Sequence, residues 1–213
     1  MFDYIDLYCE RTAPGLWGEP FNALSNLAFL FAAWRLWRAG VWRDGTWDVR
    51  LLVLLVASVG IGSGLWHFSA LRWAMWADIV PILLFIAVYL LVFLRRIAGL
   101  GWPAAAGLFL LFQGVNVLVQ ASFPPDLFNG SIFYVPTVVM LLLMTAFLKG
   151  TRRPEWRLFV AASGLLLLSI GMRSIDIAVC EYLPLGTHFL WHLLNALVLY
   201  LLVQGVGGVK ATR

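Results

Sequence analysis

The sequence predicts an all-α fold, a polytopic membrane protein built as a bundle of seven transmembrane helices. The chain is 62% hydrophobic and 12% charged, with a mean hydropathy of +0.88, whereas soluble domains carry roughly 25% charged residues. Seven stretches approach the length of about 20 apolar residues that a membrane helix needs. Their connections are short, so consecutive helices should pack as antiparallel neighbours in one membrane domain that covers residues 1–213.

The seven predicted helices cover residues 21–39, 49–68, 73–94, 98–120, 131–149, 156–175 and 186–206. The first is the weakest, because Asn22, Ser25 and Asn26 lie in its opening turns. Residues 1–20 are expected to form an acidic segment outside the membrane, with neither the basic start nor the apolar core of a signal peptide. The basic residues form no stripe, which argues against a nucleic-acid partner.

The positive charges predict the orientation of the bundle. Twelve of the fifteen basic residues fall on one side, namely Arg35, Arg38, Arg43, Arg50, Arg95, Arg96, Lys149, Arg152, Arg153, Arg157, Lys210 and Arg213. Cytoplasmic loops carry such an excess of lysine and arginine. We therefore expect the C-terminus in the cytoplasm and the N-terminus outside.

All three histidines of the chain lie in two motifs, Ser63-Gly-Leu-Trp-His67 and His188-Phe-Leu-Trp-His192. His188 and His192 are four residues apart and share one helix face, a spacing that can close on a metal ion. In the predicted topology, His67 lies at the outer end of the second span and the pair near the outer start of the seventh. The three imidazoles are therefore predicted to form a zinc site with an open position. A single membrane histidine is more often a hydrogen-bonding group between helices.

Asp78 and Ser63 are the predicted catalytic residues beside this site. Asp78 lies in the outer third of the third span, and an ionisable residue at membrane depth tends to be functional. Zinc held by three imidazoles lowers the pKa of its water to about 7, so Asp78 could accept that proton and pass it to a leaving amine. Ser63 could donate to an oxyanion, or it could be a small packing residue among Gly60, Gly62 and Gly64.

Two further groups lie in the predicted outer segments. Cys9 and Cys180 could pair in an oxidising compartment, or they could be two unrelated thiols. The carboxylates that precede the first span include types that bind calcium, but spacing alone favours solvated loop charges. These carboxylates are Asp3, Asp6, Glu10 and Glu19.

The pattern of Ser63, His67, Asp78, His188 and His192 resembles that of the alkaline ceramidase family. This family belongs to the CREST superfamily of seven-helix membrane hydrolases, which also includes adiponectin-receptor-like proteins. The resemblance extends over nearly the whole chain, through Asp6-Leu-Tyr-Cys-Glu10, Glu19-Pro-Phe-Asn22-Ala-Leu-Ser25-Asn26, and Arg173-Ser-Ile-Asp176 to Cys180-Glu181.

The resemblance implies a zinc-dependent amidase that cleaves ceramide or a related long-chain N-acyl lipid to a fatty acid and an amine such as a sphingoid base. It also implies a Cys9–Cys180 disulfide and calcium bound through Asp6, Glu10 and Glu19, with a carbonyl of Leu7 or Tyr8. The stretch from Cys9 to Glu19 is shorter than the family's, so the calcium shell is expected to be incomplete or reorganised.

The compact chain, rich in Ala, Leu and Arg, suggests a bacterial inner-membrane protein with its site on the outer side. The sequence does not determine its oligomeric state. Two alternatives remain, a regulatory receptor-like protein with a structural zinc ion and a haem protein with histidine axial ligands. A haem protein would show a Soret band, whereas a zinc protein is colourless.

Overall fold

The computed structural model describes residues 3–15 and 17–208. The α-helices of this part of the chain are α1 (Pro20–Ser25), α2 (Leu27–Arg38), α3 (Val41–Asp44), α4 (Trp47–Ser69), α5 (Arg72–Val92), α6 (Trp102–Ser122), α7 (Val135–Gly150), α8 (Trp156–Ile175) and α9 (His188–Gly207). A π-helical turn extends α5 to Ile97, and a 3₁₀ turn that begins at Ser131 precedes α7. The fold is all-helical, with an isolated β-bridge between Tyr4 and Leu71 in the described residues.

Six helical segments in the described residues are long and apolar enough to cross a membrane, which fits an integral membrane protein. They are Trp47–Ser69, Arg72–Ile97, Trp102–Ser122, Ser131–Gly150, Trp156–Ile175 and His188–Gly207. The remaining predicted span, residues 21–39, is divided at Asn26 into α1 and α2. The Asn26 side chain donates to the carbonyl of Asn22 at 2.8 Å. The count of seven membrane passages and the orientation of the termini stay predictions.

The N-terminal segment, residues 3–15, lies across the turn that joins α4 to α5. The amide of Ile5 donates to the carbonyl of Ala70 at 2.9 Å, and that of Gly15 donates to Phe68 at 2.7 Å. A disulfide joins Cys9 to Cys180, with the two Cα atoms 5.5 Å apart. The segment is therefore attached both to the α4–α5 turn and to the connection between α8 and α9.

Glycines allow α4 to approach its neighbours closely. A Cβ atom on Gly62 would lie 1.9 Å from the carbonyl oxygen of Ala77 on α5. A Cβ atom on Gly60 would lie 2.8 Å from the Cβ of Phe29 on α2. The absence of a side chain at these two positions lets backbones pack together, as in other membrane helix pairs.

Hydrogen bonds and apolar packing join α9 to the other helices. The Tyr89 hydroxyl of α5 donates to the carbonyl of Leu202 at 3.0 Å, and the Asn195 amide donates to the Ser169 hydroxyl of α8 at 2.9 Å. In contrast, α6 buries only Ala105 among its residues. The histidine-bearing helices α4 and α9 are thus in the packed part of the bundle, and α6 lies at its periphery.

Candidate metal centre

The three histidines converge at one buried point between α4 and α9. Their potential ligand atoms all lie within 4.8 Å of one another, and among the described residues they are the group of His, Cys, Asp or Glu that could hold a metal ion. The ring centroids of His67 and His192 are 4.6 Å apart, and those of His188 and His192 are 4.7 Å apart. Each residue is at most 2% exposed. Three histidines within reach of one ion are the arrangement that the sequence predicted.

The residues before α2 orient two of these imidazoles. His67 Nδ1 donates to the Glu19 carboxylate at 2.9 Å. Ser25 Oγ lies 2.7 Å from His192 Nδ1 and donates its own proton to the carbonyl of Asn22, so it accepts the proton of His192. Protons on both Nδ1 atoms leave Nε2 of His67 and His192 as the nitrogens with free lone pairs. Such outer hydrogen bonds fix the tautomer of metal-bound histidines.

The inner faces of the imidazoles fit a bound cation. His67 Nε2 and His188 Nδ1 are buried without a hydrogen-bond partner, and buried polar atoms of this kind require an explanation. Neutral imidazole nitrogens are common ligands of zinc and other transition metals. The geometry therefore supports a metal site, while the identity of the metal does not follow from it.

Asp78 and Ser63 meet at the close contact between α4 and α5. The Ser63 hydroxyl donates to the Asp78 carboxylate, and Asp78 Oδ1 is buried without a partner. Since Ser63 lies one turn before His67 on α4, the pair occupies the same end of that helix as the metal ligand. Asp78 is not among the residues whose atoms converge with the histidines, so it is not a ligand of that group.

Asp176, the residue that follows α8, caps the start of α9, a role that the sequence analysis missed. Its Oδ1 accepts the amide protons of Thr187 at 2.7 Å and His188 at 2.9 Å. The first amides of a helix lack partners within the helix, and a carboxylate there is stabilising. Gly186, at φ +62°, permits this approach, because a Cβ atom there would lie 2.2 Å from Asp176 Oδ1. The signal in the sequence was a single acidic residue just after an apolar helix.

An aromatic and cationic layer covers the histidines. The Tyr8 ring lies 4.0 Å from the His188 ring and 4.9 Å from the His67 ring. The Tyr8 hydroxyl accepts a hydrogen bond from the indole nitrogen of Trp66 at 3.1 Å. It accepts another from the guanidinium of Arg173 on α8. These residues hold the N-terminal segment against the metal ligands, a role that the sequence did not predict for any of them.

The three carboxylates predicted to bind calcium have separate environments. Asp6 is exposed, whereas Glu10 is 8% exposed and Glu19 is fully buried. Glu10 accepts the backbone amides of Phe21 and Asn22, each at 2.8 Å. Glu19 contacts a histidine and an arginine, and burial raises its pKa to about 7 although the arginine acts in the opposite direction. A calcium site formed by these residues stays a prediction.

Two apolar cavities lie between the helices, and none of the histidines lines either of them. The first, of about 70 Å³, is bordered by Trp191 and Asn195, which flank His192 on α9, and by residues of α2, α4, α5, α7 and α8. The second, of about 490 Å³, lies between α5, α6 and α7. Met140 and Met144 of α7 border both cavities.

A comparison with protein families matches the part of the chain that contains this site. The family model described as Ceramidase matches residues 8–212, a range that contains the three histidines, Ser63 and Asp78. A search of the curated proteins found no match. Membership of this family implies a hydrolase that acts on amide bonds of a lipid substrate and supports a ceramide-hydrolysing function. Because the match extends over almost the entire chain, the protein belongs to the ceramidase family.

Proposed function

We propose that the protein is a zinc-dependent intramembrane amidase that hydrolyses ceramide or a related long-chain N-acyl lipid. The observation that carries the proposal is the convergence of His67, His188 and His192 with two buried, unpartnered ring nitrogens. These three residues would hold zinc. A bound zinc ion would lower the pKa of water and polarise the amide carbonyl.

Asp78 is proposed to move the proton. One of its oxygens accepts from Ser63, and Oδ1 has no partner in the resting protein. Asp78 would therefore take the proton of the attacking water at Oδ1 and deliver it to the nitrogen of the leaving amine. Ser63 holds the carboxylate in position. Its further role as a hydrogen-bond donor to the oxyanion stays a prediction.

The acyl chain is proposed to occupy the apolar cavities. The cavity beside Trp191 and Asn195 has a volume of only about 70 Å³, so it holds part of a long chain at most. Beyond Met140 and Met144 lies the larger cavity of about 490 Å³. Methionine side chains are flexible and adapt to irregular apolar groups. Movement of these two side chains would let one chain extend from the first cavity into the second.

The test combines metal analysis with turnover. Purified protein should contain about one zinc per chain and should release fatty acid from ceramide in mixed micelles. His188→Ala should lose both zinc and activity, since two imidazoles bind the ion weakly. Asp78→Asn should keep zinc and lose activity, and Asp126→Asn, an exposed residue between α6 and α7, is the matched control.

Other results would reject the proposal. Zinc bound without turnover of ceramide or other N-acyl lipids would favour the receptor-like alternative. Full activity in Asp78→Asn would remove this residue from the mechanism.

The location is proposed to be a bacterial inner membrane, with the site facing outwards. The bias of basic residues supports this orientation. A green fluorescent protein fused to the C-terminus should fluoresce, because that terminus would be cytoplasmic. A dark fusion protein at normal abundance would contradict the orientation.

A further inference from the structure

Arg11 lies inside the protein, next to the carboxylate that supports the metal centre. Its side chain and that of Glu19 are both fully buried, and the guanidinium forms an ion pair with Glu19 Oε1. Arg11 also donates to the carbonyl of Ile5 at 2.6 Å. The guanidinium lies 4.3 Å from the Trp66 ring and 5.0 Å from the Tyr8 ring. A carboxylate oxygen, a main-chain carbonyl and two aromatic faces thus surround this cation.

The carboxylate oxygens near Arg11 already have donors. Glu19 Oε2 accepts His67 Nδ1 at 2.9 Å and Asn22 Nδ2 at 3.0 Å, while Arg11 occupies Oε1. Both oxygens of Glu10 accept backbone amides. Calcium takes six to eight oxygen ligands, so it would have to displace several of these donors. The residues as they are placed do not fit the calcium ion that the family resemblance implies.

We propose that the Arg11 guanidinium is a built-in cation that replaces calcium and holds Glu19 against His67. The oxygens that Arg11 contacts, a carboxylate and a backbone carbonyl, are of the kinds that bind calcium. Arginine remains charged in proteins, so this support does not depend on the calcium concentration. Arg11 is then a positioning residue, because it acts on the metal centre through Glu19.

This inference rests on the proposed metal centre and has consequences that need no substrate. In the unaltered protein, calcium should change neither the thermal unfolding temperature nor the zinc affinity. Terbium, which binds to calcium sites, should show no saturable luminescence on excitation of tryptophan, although Trp66 would be an adjacent sensitiser. A saturable terbium signal that calcium displaces, or stabilisation of the unaltered protein by millimolar calcium, would overturn the proposal.

Variants at Arg11 test the replacement directly. Arg11→Ala leaves Glu19 Oε1 and the Ile5 carbonyl without their cation, so zinc affinity should fall roughly 10–100-fold, the usual effect of losing outer-shell support. Millimolar calcium should restore part of that loss. Arg11→Lys, which keeps the charge, should lose less zinc affinity and respond less to calcium. Arg72→Ala removes an exposed arginine that pairs with Asp3 at 3.1 Å and should leave zinc affinity unchanged.

The results of these experiments distinguish a wrong role for Arg11 from a wrong proposed function. Unchanged zinc affinity in Arg11→Ala would show that Arg11 does not position the centre. Reduced affinity that calcium fails to restore would show that Arg11 acts through packing alone. If Arg11→Ala does not fold, Arg11→Lys and the calcium titration of the unaltered protein still decide the question. If these results hold but no lipid amide is cleaved, only the proposed function fails.

Discussion

The contact at Gly62 gives a sharp test of how the catalytic pair is positioned. In Gly62→Ala, the new Cβ would lie 1.9 Å from the oxygen and 2.7 Å from the carbon of the Ala77 carbonyl, both backbone atoms of α5. Ordinary contact begins near 3.4 Å, so α4 and α5 must separate by about 1.5 Å at this point. Asp78, the next residue on α5, would move away from Ser63.

The expected losses of catalytic rate and of stability follow from this displacement of α4 from α5. A shift of about 1 Å in a catalytic group can reduce the rate roughly 100-fold, and overpacking of this kind costs about 1–3 kcal/mol of stability. The histidines lie on α4 and α9, so zinc content should change little while kcat falls. The measurements are fatty-acid release from ceramide, zinc per chain and the temperature of unfolding.

Gly64 provides the matched control on the same helix. A Cβ atom at Gly64 would meet only the Cβ of Asn26, at 3.9 Å, so Gly64→Ala should keep kcat and stability near those of the unaltered protein. Equal activity in Gly62→Ala and Gly64→Ala would refute the close contact between α4 and α5. Loss of zinc in Gly62→Ala would show instead that the contact supports the metal ligands.

Three further predictions test the metal support and the cavities. Asp176→Asn places a donor among backbone amides, so it should lower stability by about 1–3 kcal/mol and weaken zinc binding, as measured by thermal unfolding and competition with a chelator. Ser25→Ala should weaken zinc binding roughly 10–100-fold, whereas Ser58→Ala, which removes a hydroxyl bonded to its own helix, should not; equal affinities would contradict the role of Ser25. Met140→Trp should reduce turnover of long-chain substrates more than that of short-chain ones, because it would block the passage between the cavities. Leu142→Trp, at an exposed position on the same helix, should preserve the chain-length preference, and an equal effect of both substitutions would contradict the proposed path.

The parts of the site that depend on helical periodicity could be predicted from the sequence. His188 and His192 share a helix face because they are four residues apart, and the bounds of the second predicted span placed His67 at one end of its helix, where the structure has it. The glycines beside Ser63 indicated a helix contact, and the structure shows that only some of them take part in it. Gly60 and Gly62 meet neighbouring helices, whereas Gly64 has room for a methyl group.

The parts that depend on chain reversal could not be predicted in the same way. Glu19 reaches His67 because the N-terminal segment folds back over the α4–α5 turn, and loops have no periodicity that reveals their partners. A buried carboxylate in an acidic stretch therefore looked like a calcium ligand or a solvated charge. Ser25 and Asn26 made the first span look weak as a membrane helix. The same polarity lets Ser25 hold His192 and divides the helix at Asn26.

One carboxylate joins the two sides of the metal centre. Asp176 Oδ2 accepts the amide of Cys9 at 3.1 Å, while Oδ1 accepts the amides that begin α9 at His188. The N-terminal segment that supports His67 and the helix that carries two ligands are therefore fixed to the same side chain. The disulfide between Cys9 and Cys180 joins the same two parts of the chain covalently, four residues after Asp176. Since ligands that share a support are not independent, changes in the N-terminal segment should affect all three histidines together, and Tyr8 of that segment contacts the His67 and His188 rings directly.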